Sequence, residues 1–167
     1  MAEVFRVTFV CSGNICRSPM GEVILRRLAQ GAGMAGLVEV DSFGTGGWHE
    51  GQPAHRPTLT ALRHHGYDGS AHRARQVTSD VFETHDLVLA ADEGHVRQLQ
   101  RLARTPGHRA ALRLMREFDP SAVAAGTLEV DDPYYGDAAD YERCLQEVEA
   151  ACRGLLTHLR STVVPGS

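Results

Sequence analysis

A cysteine, five intervening residues and an arginine, Cys11 to Arg17 in CSGNICRSP, are the residues of this sequence best suited to chemistry on an oxyanion. Spacing alone is weak evidence: with Arg at roughly one position in ten, four cysteines give one such pair by chance about a third of the time. The surroundings make it specific. The pair follows a short apolar run, Phe5 to Val10, brackets Gly13-Asn14, and meets Ser18-Pro19 and a helical pattern at once. A loop that curls from strand end to helix start aims backbone N–H groups inward, a nest for an anion reinforced by the helix dipole. Gly13 and Asn14 are residue types that tolerate the left-handed backbone such a curl needs. Arg17 offers two parallel hydrogen bonds to phosphate oxygens, a geometry Lys does not match. That field favours a thiolate, so Cys11 is predicted to be a nucleophile placed behind the phosphorus. Ser18 is positioned to donate a hydrogen bond to the sulfur. Considered singly these residues have plainer readings: a small core thiol, a structural ion pair, a turn asparagine and a helix-capping serine.

A phosphorylated cysteine needs a partner that protonates the leaving oxygen and then activates water. The best candidate is Asp132 in VDDPYYGD, where Pro133 stiffens the backbone and Gly136 permits a turn. Asp131 competes for the role, and DDP is also an ordinary turn signal. Tyr134 and Tyr135 are adjacent aromatics in a chain that is only 6% aromatic, which suggests a wall against an aryl group. Trp48, the single Trp, lies in another long loop and is a candidate second wall.

The elements that must hold these residues follow from periodicity. Strands are predicted at Phe5–Val10, Leu37–Ser42, Asp86–Ala91 and, more weakly, Ala110–Met115. Helices are predicted from Ser18, a cap with Pro19 behind it, to Gly31, over Pro57–His65 and over Glu93–Arg104. A last helix capped by Asp137 carries Tyr141, Cys144, Leu145, Val148, Cys152, Leu155 and Leu159 on one face. Residues 43–56 and 117–136 read as loops. Alternating strands and helices imply an α/β fold, a parallel sheet with helices on both faces, and ligands at the carboxyl ends of its strands. CSGNICRS sits at such an end, between strand 1 and helix 1. A single domain over residues 1–167 is expected.

Composition narrows the function classes. All 17 basic residues are Arg. Without Lys there is no Schiff-base attachment of pyridoxal phosphate and no nucleotide loop ending in Gly-Lys-Ser/Thr. A net charge of −4 gives no support for nucleic-acid binding, and Arg73 and Arg75 read as a solvated face or an ion-pair site. No apolar run approaches a membrane span, and the N-terminus reads as a first strand, not a signal peptide. The cysteines, 11, 16, 144 and 152, form no metal-ligand pattern and are expected as thiols in the cytoplasm.

The chain resembles the low-molecular-weight protein tyrosine phosphatases over nearly its whole length, through CSGNICRSP, DSFGTGGW, HRARQ, AADE and DPYYGD in that order. The resemblance implies a four-stranded parallel sheet and a phosphatase acting on phosphotyrosine proteins and small aryl phosphates, with no metal or organic cofactor. It implies Cys11 as nucleophile, Arg17 as phosphate clamp and Asp132 as acid, then base. Ser12, Gly13, Asn14, Ile15, Cys16 and Ser18 belong to the catalytic loop. Ser42 and His72 match positions that hold its shape; on their own they read as a strand-end serine and a surface histidine. Asp92 matches a supporting position. Trp48, Tyr134 and Tyr135 match the walls of the aryl cleft. A thiol at Cys16 suggests a disulfide that protects oxidised Cys11. Phosphate and other oxyanions are expected as inhibitors and a monomer as the working form. Rival readings are an arsenate reductase of the same fold, a protein-arginine phosphatase, and a non-catalytic phosphotyrosine-binding or redox-sensing protein. Thiol-cascade reductases need further cysteines, and the middle region carries Phe82 and Leu89 but no Cys. Arginine phosphatases tend to carry a small polar residue where Ile15 stands.

Overall fold

A computed structural model describes residues 3–163. Four parallel strands, β1 (Phe5–Cys11), β2 (Val38–Gly44), β3 (Leu87–Ala90) and β4 (Leu112–Leu114), lie in the order β2-β1-β3-β4. The period of two along β1 serves two cores. Val7, Phe9 and Cys11 join the larger one, and Val10 joins a smaller one with Val88, Ala90, Leu99 and Leu114. The chain leaves β1 for β2 on one side and later returns to β3 on the other. The carboxyl end of β1 is therefore the switch point where a crevice opens.

The larger core is closed by α1 (Arg17–Gly31) and α7 (Ala138–Val163). Every residue expected on the inner face of α7 is buried, together with Ala151. Gly21 sets how closely α1 lies on the sheet: a Cβ there would sit 2.4 Å from the Phe9 ring. Asp137 does cap α7, accepting from the Asp140 N–H at 3.1 Å while Asp140 returns the bond at 2.9 Å.

The remaining helices are α2 (Arg56–His64), α3 (Val81–Thr84), α4 (Glu93–Gln100), α5 (Pro106–Ala111) and α6 (Pro120–Ala125). Several differ from expectation. A 3-10 turn, Met115–Phe118, takes up the end of the last predicted strand and the start of the last predicted loop, and that loop then holds α6, which begins with Asp119 accepting from the Ser121 N–H and ends at left-handed Gly126. The short α3 and α5 were not anticipated, and α4 stops short of Arg104. Ser18 is not a helix cap. It is the second residue of α1, and the capping position is Cys16, with no side-chain bond. The physical reason is that the first-turn N–H groups are left facing the crevice instead of being satisfied by a cap. Arg75 lies over the Phe43 ring and pairs with Asp41 at 3.4 Å, in line with the ion-pair reading.

Candidate active site

From Cys11 to Ile15 four of the loop's carbonyls find donors outside it. Cys11 O accepts from the Thr45 N–H, Ser12 O from Gly46 N–H, Ile15 O from His55 N–H and Asn14 O from His72 Nε2 at 2.7 Å. The N–H groups of residues 13–17 donate to no protein acceptor among the described residues. They are the donors left for an oxyanion. Asn14 takes the left-handed conformation at φ 60°. Gly13 does not, so its expected left-handed role is not observed; instead a Cβ there would meet the His49 ring at 2.8 Å. Across the loop, a Cβ on Gly44 would stand 2.7 Å from Ser12 O, so β2 must end in glycine to let the loop close.

Asn14 holds this shape with three side-chain hydrogen bonds. Its Nδ2 donates to Ser18 Oγ at 2.8 Å and Ser42 Oγ at 2.9 Å, and its Oδ1 accepts from the Arg75 N–H at 3.0 Å. Because Ser18 Oγ accepts from Asn14, its own proton is free for Cys11 Sγ, 2.9 Å away. The Ser18 N–H adds a second donor to the sulfur at 3.4 Å. Ser42 in turn donates to Glu22 Oε1 at 2.5 Å, and Glu22 also pairs with Arg26 at 2.6 Å and faces His72 Nδ1 at 3.6 Å. Burial opposes the Glu22 charge, but bonds from His72, Ser42 and Arg26 outweigh it and hold its pKa at about 2. His72 is therefore a buried support of the loop, not a surface residue.

Arg17 is almost fully buried. Its Nη1 donates to Asp92 Oδ2 at 2.9 Å and to Val130 O at 2.8 Å, which uses both of its hydrogens. The Nε and Nη2 fork remains for an anion. Burial works against this guanidinium, but Cys11, Asp92 and Asp132 raise its pKa above the ordinary value. Burial likewise opposes the Asp92 charge, and Arg17 and His95 hold its carboxyl below the usual range. Asp92 is thus committed to Arg17. Asp132 is half exposed at the mouth, with Oδ2 3.8 Å from Arg17 Nη2 and Oδ1 accepting from the Tyr134 N–H at 3.1 Å.

A pocket of about 220 Å³ brings together Cys11, Arg17, Asp132, Trp48, Tyr134 and Tyr135. Ser12, Gly13, Ile15 and Cys16 also line it, whereas Asp131 does not. Trp48 and Tyr135 stand exposed as rims, and Tyr134 meets Tyr135 edge-on at 4.8 Å. Cys16 is buried beside the Tyr141 hydroxyl at 3.8 Å, and burial pushes its pKa up to about 11. Cys144 and Cys152 are buried in α7, and burial pushes both thiols far up. Neither lines the pocket, so they offer no thiol relay to Cys11.

Three supports were not read from the sequence. Glu22 was not singled out; its signal was a lone acid amid the apolar PMGEVIL stretch. His95 Nε2 lies 2.8 Å from Ser12 Oγ, its Nδ1 accepts from the Asp92 N–H at 3.3 Å, and burial lowers its pKa to about 4. Its position three residues after the Asp92 cap was the available clue. His55 stacks on Tyr134 at 4.9 Å and its Nδ1 lies 3.0 Å from the Tyr141 hydroxyl, bracing the acid loop.

Comparison with known proteins agrees with this geometry. The family model described as low molecular weight phosphotyrosine protein phosphatase matches residues 6–164. A low molecular weight protein-tyrosine-phosphatase of Streptomyces coelicolor is 53% identical, covering 95% of this chain and 96% of that protein. Low molecular weight protein-tyrosine phosphatase A of Mycobacterium bovis is 41% identical over 93% of this chain and 91% of its own. The crystal structure of a protein tyrosine phosphatase from Entamoeba histolytica, with Hepes in the active site, superposes with a TM-score of 0.87 at 30% identity, covering 95% of this chain and 98% of that one. With Cys11, Arg17 and Asp132 gathered in one aromatic-walled pocket, and a family model and relatives that match over nearly the whole chain, the chain belongs to the low molecular weight phosphotyrosine protein phosphatase family.

Proposed function

We propose that the chain performs its family's reaction, hydrolysis of phosphotyrosine, in two steps on Cys11. The observation that carries this reading is the meeting of Cys11, the free fork of Arg17 and half-exposed Asp132 in one pocket. In the first step the Cys11 sulfur attacks phosphorus from the floor of the nest. The bond from phosphorus to the phenolic oxygen breaks, and Asp132 gives that oxygen its proton. Loop N–H groups and Arg17 bind the equatorial oxygens as their charge grows. In the second step Asp132 takes a proton from water, whose oxygen attacks the phosphocysteine. The S–P bond breaks, the Ser18 hydroxyl stabilises the departing thiolate, and phosphate leaves. Tyr134, Tyr135 and Trp48 flank the aryl ring, while Asn14, Ser42, His72 and Glu22 keep the nest curled.

The physiological substrates in this reading are phosphotyrosine proteins, phosphate and like oxyanions compete for the nest, and the protein works as a monomer. No described helix is long and apolar enough to cross a membrane. Four free thiols fit a reducing cytoplasm, where we place the enzyme. The test is hydrolysis of a simple aryl phosphate at mildly acidic pH without added metal, wild type against Cys11→Ser. Turnover that collapses in the variant is expected. Absence of turnover by folded wild type would overturn the reading and direct attention to arsenate reduction and phosphopeptide binding.

A further inference from the structure

Ile15, His49 and Tyr134 line both the catalytic pocket and a second groove of about 610 Å³ beside it. The far wall of that groove is one stripe of α2: Arg56, Leu59, Thr60 and Arg63, at i, i+3, i+4 and i+7. With a rise of 1.5 Å per residue, the two arginines stand about 10 Å apart along one line. Both are exposed, and among the described residues neither has a carboxylate within ion-pair distance. No Asp or Glu lines the groove, although the whole chain carries a net charge of −4. The groove is thus a local cationic surface on an acidic protein.

It is also fixed relative to the phosphate loop. The His55 N–H donates to Ile15 O at 2.9 Å, and the His55 ring is held between Tyr134 and the Tyr141 hydroxyl. A chain leaving the catalytic pocket past Ile15 and Tyr134 enters the groove without rearrangement. A polypeptide in the polyproline II conformation advances about 3.1 Å per residue with three residues per turn, so side chains three positions apart face the same way about 9 Å apart, close to the spacing of the two arginines.

We propose that this groove holds the polypeptide on one side of the phosphotyrosine and that Arg56 and Arg63 select acidic residues there, about three positions apart. The proposal rests on the phosphotyrosine phosphatase reading and adds a substrate class to it. These contacts form in the ground state and persist through the reaction, so they act on KM and leave kcat alone. Each exposed ion pair adds about two- to fivefold in affinity, and two together about four- to twentyfold.

The experiment measures kcat and KM for p-nitrophenyl phosphate and for three phosphotyrosine peptides of equal length. One peptide is neutral, one carries two Glu three positions apart on the N-terminal side, and one carries them on the C-terminal side. The expected result for wild type is a KM lower by about four- to twentyfold for one acidic peptide over the neutral one. That ratio should shrink at high salt, fall to about one in Arg56→Ala/Arg63→Ala and invert in Arg56→Glu/Arg63→Glu. Equal kcat/KM for all three peptides in wild type, or a preference that survives both double variants, would overturn the proposal while leaving the phosphatase reading intact. Failure to hydrolyse any of the four compounds would overturn both.

Discussion

Replacing Glu22 by Gln tests whether a buried carboxylate, remote from the reacting atoms, holds the nest together. Glu22 receives the Ser42 hydroxyl and Arg26 and faces His72, so three contacts favour its charged form. A fall from an ordinary 4.5 to about 2 corresponds to about 3 kcal/mol of folding free energy. The carboxyl is only 13% exposed, so solvent screening removes little of this. The sign follows from proton counts. Between about pH 5 and pH 2 the unfolded chain holds the Glu22 proton and the folded chain does not. Stabilisation is therefore complete above pH 5 and is lost as pH falls through 2. Urea unfolding of wild type and Glu22→Gln at a series of pH values isolates this term, because His95 and the other acids titrate in both proteins. The expected difference is about 3 kcal/mol at pH 7, shrinking steadily below pH 5. A difference that stays constant from pH 7 to pH 3 would refute the linkage and reduce Glu22 to a packing residue. At pH 7 the variant should also lose kcat with the aryl phosphate, since Ser42 and Asn14 lose their anchor.

Three further outcomes are expected. Asp132→Asn should lower turnover by about 10²- to 10⁴-fold, most severely for aryl phosphates with poor leaving groups; an equal loss across a leaving-group series would remove Asp132 from the acid role. Burial pushes Cys16 up to about 11, so a disulfide between Cys16 and peroxide-oxidised Cys11 should form slowly at pH 7 and faster as pH rises. Mass spectrometry reads this bond, and a Cys16→Ser enzyme that recovers from peroxide as fully as wild type would end the protective reading. Ile15→Thr should raise the ratio of phosphoarginine to phosphotyrosine hydrolysis, because the apolar wall facing the aryl ring is lost; an unmoved ratio counts against Ile15 as the discriminating contact.

What could be read from residues and what could not divide along contact distance. Cys11, Arg17 and the curl between them are local: a strand, a turn and a helix start within one stretch announce the nest before any tertiary contact is known. Asp132 and the two tyrosines drew attention because an acid and two aromatics fall together in one polar loop of a chain with few aromatics, although DDP alone is an ordinary turn signal. Ser42 and His72 owe their roles to Asn14, which lies 28 and 58 residues away, and no periodicity carries that information. Only the resemblance pointed to them. Ser18 shows the opposite error. Its residue type and the following proline signal a cap, but a helix that must leave its first N–H groups open for an anion has no use for one, and the hydroxyl turns to the sulfur instead. The missed α6 had its signals in plain view, with Asp119 as cap, Pro120 behind it and Gly126 as stop. It escaped because a helix of six residues is too short to show an apolar period. Glu22 went unread for the reason that Ser42 did: it lies on α1, and only the fold brings Ser42 of β2 against it. Local signals therefore pick out the residues that meet in the pocket, and long-range pairing decides which polar residues hold its loop in shape.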